Sequence, residues 1–309
     1  MRESQPTLDP SEYATLNDTF FRADPARYLD NRIWALACLV GQPADGEAMP
    51  RTLSFGSLSI TQVGEIEPDA YAALEATVLL HHACESLLRL YLALSHREPC
   101  PWLAIARLRS PREFKAAIRS LRGELDRPDR YLDLLEVFSG HSSSEHFKPT
   151  MPSETWDGHR EALVELVRHS INVLLGDASY YNAAKHGLAI PSGEHSFKIS
   201  SNGQAIIQQS GLALEVLEQD PSTRLWRLST SWVDVEQTIK VSNLVVRMIG
   251  SLWESSRAHY GQKSDLSKLA VLDPIGVHEL LTRRTNGEGP IATSWSLAHS
   301  SEGEVSNNS

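Results

Sequence analysis

Apolar positions along this chain follow two different periods. From Glu67 to about residue 97 they dominate almost without interruption (EPDAYAALEATVLLHHACESLLRLYLALSHRE), and a run of that length predicts a buried helix. DPARYLDNRIWALACLVG, from Asp24, predicts another: Asp24 can cap it, Pro25 suits its first turn and Gly41 can stop it. SPREFKAAIRSLRG carries its own punctuation, with Ser110 as N-cap, Pro111 first, Glu113 third in the helix and Gly123 at its end. RPDRYLDLLEVFSG reads as a short helix. WDGHREALVELVRHSINVLLGDASYYNAAKHG reads as one long helix, or two broken at Gly176-Asp177. The period then drops to two. SFKIS, a Ser-Asn-Gly turn, AIIQQ running on to LALEVLE, a Gln-Asp-Pro-Ser-Thr turn and LWRLSTSW predict a three-stranded antiparallel meander over 196–232. VDVEQTIKVSNLVVRMIGSLWESSRAHYG returns to helical spacing, with Val235, Ile239, Leu244, Met248 and Leu252 roughly on one side.

These elements divide the chain into residues 1–64 (a helix and short strands from RTLSFGSLSITQV, after a loose polar start over 1–22), a helical bundle over 65–192, the meander over 193–232, C-terminal helices over 233–285, and a disordered Ser/Asn/Glu/Gly tail over 286–309. The expected fold class is mainly α, with a small antiparallel β-meander inserted before the last long helix.

Composition narrows the function classes. A net charge of -10 argues against broad, charge-driven wrapping of DNA, RNA or an anionic membrane, though not against a local basic pocket. Three cysteines, Cys38, Cys84 and Cys100, give an odd count, so no disulfide framework is expected and a reducing cytoplasm is the natural compartment. The first twenty residues lack the apolar core of a signal peptide, and no apolar run approaches membrane-spanning length.

Plain chemical motifs are absent: there is no Gly-rich phosphate loop, no Cys-x-x-Cys, no His-Glu-x-x-His and no Gly-x-Ser-x-Gly. His81, His82, His169 and His186 are numerous enough to ligate a metal, but none has a recognised ligand spacing, and no cofactor is expected. Chemistry concentrates in DASYYNAAKHG, where helical spacing makes Asn182 a neighbour of His186, and Tyr181 of Lys185. An imidazole there suits acid–base work, Asn182 can orient it or bind a phosphate oxygen, and Lys185 can supply a cation. Lys-His-Gly followed by Pro191 is equally an ordinary helix C-terminus, with basic residues on the dipole and glycine behind them. A second polar set, His81, Glu85 and Arg89, recurs every four residues on the long apolar helix. It reads either as that helix's solvated face, the simpler reading, with a surface pair of about 0.3–0.5 kcal/mol, or as a polar seam shared with Asn182 and His186, whose charges must then be paired.

Tyr181-Asn182-Ala183-Ala184-Lys185-His186-Gly187 resembles the Arg-Asn-x-x-x-His motif, frequently followed by Gly, of the HEPN (higher eukaryotes and prokaryotes nucleotide-binding) helical bundles. The resemblance covers roughly residues 67–190 and departs at Tyr181, which stands where the motif has Arg. It implies a HEPN-like bundle, frequently a homodimer, that binds or cleaves RNA or nucleotides without a metal, in defence or toxin–antitoxin settings. By that resemblance Asn182 and His186 match the motif's Asn and His, and the catalytic candidates are His186, Asn182 and Lys185. Lys185 or Arg89 would replace the missing cation, with Glu85, Tyr181 and His81 in the binding surface. The alternative is a non-catalytic scaffold or dimerisation module in which Asn182, Lys185 and His186 only close a helix.

Overall fold

The computed structural model describes residues 8–41, 52–55, 58–61, 68–127, 131–139, 153–176, 179–186, 190–201, 204–220, 223–263, 270–282 and 292–297. The protein is mainly helical with a small antiparallel sheet. Its helices are α1 (Tyr13–Phe20), α2 (Pro25–Val40), α3 (Pro68–Ser95), α4 (Pro101–Arg107), α5 (Pro111–Glu124), α6 (Tyr131–Ser139), α7 (Ser153–Leu175), α8 (Ser179–His186), α9 (Val235–His259) and α10 (Pro274–Thr282). Its strands are β1 (Thr52–Phe55), β2 (Leu58–Thr61), β3 (Ser192–Ser201), β4 (Gln204–Gln219), β5 (Trp226–Trp232) and β6 (Ala292–Leu297). Two compact units divide them: residues 1–45, 78–178 and 236–284 form the first, and residues 46–77, 179–235 and 285–309 the second.

Local sequence sets most boundaries of the first unit. The Asp24 carboxylate accepts from the Arg27 amide at 3.0 Å and opens α2 with Pro25 in its first turn. The Ser110 hydroxyl accepts from the Glu113 amide at 3.4 Å at the head of α5, and α5 runs one residue past Gly123 rather than stopping there. Gly176 closes α7 by donating to the Asn172 carbonyl at 2.8 Å, so the long segment is two helices. The core is aliphatic: Leu79, Leu87, Leu88, Ile118, Leu134, Leu163, Leu166 and Ile171 are buried almost completely. Helix α7 packs with α5, α6 and α10.

The polar N-terminal stretch is not loose throughout. Residues 10–12 form a 3-10 turn leading into α1. Two adjacent aromatics at its end explain why: Phe20 and Phe21 stand 4.8 and 5.0 Å from the Trp253 ring, and Phe21 lies 5.6 Å from Tyr260. An aromatic cluster of this kind supplies apolar area that the polar remainder of the segment lacks.

In the second unit β1 and β2 form a two-stranded ribbon, and β3-β4-β5-β6 form an antiparallel sheet in that order. The three expected strands are present, with Leu212–Glu218 inside β4 as a strand. The tail corrects the reading of the sequence, because Ala292–Leu297 is a fourth strand paired with β5, setting Trp295 opposite Leu228 and Leu297 opposite Trp226. ATSWSL alternates with period two, but the polar residues around it masked the pattern. Gly211, inside β4 at φ +132°, occupies backbone space that side-chain-bearing residues avoid. Helix α8 packs on β4 and groups with the sheet rather than with the bundle helices.

Candidate functional site

Helix α8 has eight residues. Ala184 is its buried anchor, Tyr180 and Tyr181 are half-buried, and Asn182 and Lys185 are exposed. Three-residue spacing places Asn182 and Lys185 on neighbouring parts of that exposed side. The Lys185 ammonium stands 6.0 Å from the centre of the Tyr181 ring, one turn back, the outer limit of a cation–π contact. The aromatic ring at the motif's arginine position therefore lies beside the one cation of the helix. His186 is the last residue of α8; its side chain and Gly187 lie outside the described residues.

The second polar set belongs to the first unit and has a different character. His81 is 9% exposed, and burial, with His82 adding to it, pushes its imidazole down to about 4. It is neutral at physiological pH and unsuited to carry charge to a ligand. Arg89 Nε donates to Glu85 Oε1 at 2.7 Å, Nη1 donates to the Leu108 carbonyl, and the guanidinium sits 4.1 Å from the Phe114 ring centre. With side chains 23% and 33% exposed, Arg89 and Glu85 are partly desolvated. The solvated-face reading is thus corrected. The stripe is half-buried because the turn after α4 and the first turns of α5 cover it, and nothing local to α3 announces that cover. Next to it, Arg32 Nη1 donates to His82 Nδ1 at 2.9 Å.

The two sets expected to share one seam belong to different compact units. Leu108 and Phe114 are the residues that sequence reasoning missed. Their link to Arg89 spans nineteen residues or more, and no spacing rule connects a helix interior to a later turn. His169 is half-buried, which lowers its pKa, and its buried Nε2 has no hydrogen-bond partner among the described residues. Among those residues no three His, Cys, Asp or Glu side chains converge to hold a metal ion. No described helix is long and apolar enough to cross a membrane.

Comparison with known proteins leaves the geometry to speak alone: no family model, no curated protein and no solved structure matches this chain.

Proposed function

We propose that this chain is a HEPN-like binding module that takes a phosphate of RNA or of a nucleotide at the end of α8. Lys185 supplies the cation, Asn182 a neutral donor, and His186 the acid–base group for metal-independent cleavage. The observation that carries the reading is the contrast between the two cation candidates. Lys185 is exposed beside exposed Asn182, whereas Arg89 has a carboxylate, a carbonyl and an aromatic face of its own unit as partners. A cation already bonded on several sides must lose those bonds before it can meet a phosphate, and Lys185 loses only a distant ring contact. Lysine gives a point charge rather than a bidentate fork, so the contact favours affinity over geometric control of a transition state.

In this reading cleavage proceeds by attack of a 2′-hydroxyl on the adjacent phosphate, with proton transfer through His186 and the developing charge on the phosphoryl oxygens met by Lys185. Incubation of the purified protein with total RNA, with and without chelator and beside His186→Ala, tests it. The expected result is cleavage that survives the chelator and disappears in the variant. Chelator-sensitive cleavage, or cleavage by His186→Ala at the parent rate, overturns the mechanism.

A second reading, the non-catalytic scaffold, draws on the same fate of Arg89: the two charged groups of the α3 stripe, Glu85 and Arg89, are bonded to each other, and Arg89 is bonded further within its own unit. Under that reading the protein binds no RNA, and Lys185 and His186 do no more than end a helix.

A further inference from the structure

A cleft of about 430 Å³ opens in the first unit where the end of α1 and the turn before α2 meet the last turns of α9. Its charged lining has one more cation than carboxylate, with Arg22, Arg257 and Lys263 against Asp18 and Asp24, while Phe21 and Trp253 form its apolar wall. The donors are in surplus. The side chains of Arg22 and Lys263 have no hydrogen bond or ion pair among the described residues, and among those residues Arg257 Nε is buried without a partner, its Nη1 alone reaching Glu254 at 3.3 Å. A buried N–H left without an acceptor is destabilising, and an acceptor oxygen would recover that loss. Each carboxylate, by contrast, has one oxygen engaged: Asp18 Oδ1 accepts from Gln262 at 2.8 Å, and Asp24 Oδ1 accepts from the Arg27 amide. Among the described residues the other oxygen of each has no donor.

We propose that this cleft binds a small zwitterion of the free amino acid class. The ligand's carboxylate lies on Arg22, Arg257 and Lys263, its ammonium on Asp18 and Asp24, and its side chain against Phe21 and Trp253. A simple anion such as phosphate would meet the two carboxylates as well as the cations, and a simple amine would leave the surplus donors unmet; a zwitterion satisfies both sets. The volume is ample for one amino acid with an apolar or aromatic side chain. This assignment is independent of the reading of α8, since no residue of that helix takes part.

Calorimetric titration of the full chain with L-phenylalanine, L-leucine, 3-phenylpropionate (no ammonium) and phenethylamine (no carboxylate) tests it. Binding of L-phenylalanine or L-leucine in the millimolar range or tighter is expected, with both truncated analogues of L-phenylalanine roughly tenfold weaker or worse. Arg22→Gln combined with Lys263→Gln, two exposed side chains without internal partners, should remove the preference for L-phenylalanine over phenethylamine. Asp24→Asn retains a good helix cap and should remove the preference over 3-phenylpropionate. Absence of binding by both amino acids up to about 10 mM, or either truncated analogue binding as tightly as L-phenylalanine, overturns the proposal.

Discussion

Arg89 shows how a side chain that looks available in a sequence is taken by its neighbours in the fold. Its ion pair with Glu85 is a four-residue helical pair, but the Leu108 carbonyl and the Phe114 ring turn it from a surface ornament into a clamp from α3 onto the turn before α5 and onto α5 itself. Arg89→Lys keeps the charge and loses the fork and the planar stack, so it should lower stability by about 1–2 kcal/mol, read as a fall in the urea midpoint. Lys185→Ala, at an exposed position, should leave that midpoint within about 0.5 kcal/mol. An unchanged midpoint in Arg89→Lys would remove the structural role given to it. Gly211 offers a separate check. A Cβ there would touch nothing within 4 Å, so the φ of +132° alone makes Gly211→Ala costly, by about 1–3 kcal/mol in thermal or chemical unfolding. A neutral substitution would mean that the strand tolerates ordinary extended backbone at this point.

Elements were legible wherever their signals are local. Helix α2 is bounded as Asp24, Pro25 and Gly41 predict, and Asp24→Ala should cost about 1 kcal/mol of stability while Asp24→Asn costs a few tenths; equal losses from both would show that the carboxylate's charge, not its cap bond, matters. Helix α3 follows from unbroken apolar character, and the β3–β5 hairpins from period two between turn residues. Legibility failed where an element depends on a distant partner. Helix α1 is polar along much of its length and is held by Phe20 and Phe21 against Trp253, more than two hundred residues away. Strand β6 is six residues inside a polar tail and exists through its pairing with β5. The candidate site divides in the same way: the exposure of Asn182 and Lys185 on α8 follows from helical spacing around buried Ala184, whereas the cover over Glu85 and Arg89 comes from a turn that spacing on α3 does not reveal.

At the scale of the molecule, buried neutral histidines set a pH limit on the helical unit. Burial pushes His81 and His159 down to about 4 and lowers His169 as well. His159 is 5% exposed, and its Nδ1 accepts from the Leu272 amide at 3.0 Å, a bond that protonation at that nitrogen would destroy. With folded-state values below the unfolded value near 6.5, the unfolded chain holds more protons between roughly pH 6.5 and 4. The stability contributed by these groups is therefore complete above that window and is lost as pH falls through it, by a few kcal/mol in total at its lower end. Urea midpoints at pH 7, 6, 5 and 4.5 should fall steadily, and His159→Gln should flatten the fall; a midpoint that holds constant from pH 7 to 5 would contradict this. The proposed function makes Lys185, and not Arg89, the cation that meets RNA. Fluorescence anisotropy of a labelled single-stranded RNA, titrated at several salt concentrations with the parent protein, Lys185→Ala and Arg89→Lys, addresses it directly. Lys185→Ala should bind roughly tenfold more weakly, with a salt slope smaller by about 0.7 for the lost phosphate contact, and Arg89→Lys should bind like the parent protein when measured well below its unfolding midpoint. Parent-like binding by Lys185→Ala together with loss of binding in folded Arg89→Lys, or no binding by the parent protein at any salt, would contradict it.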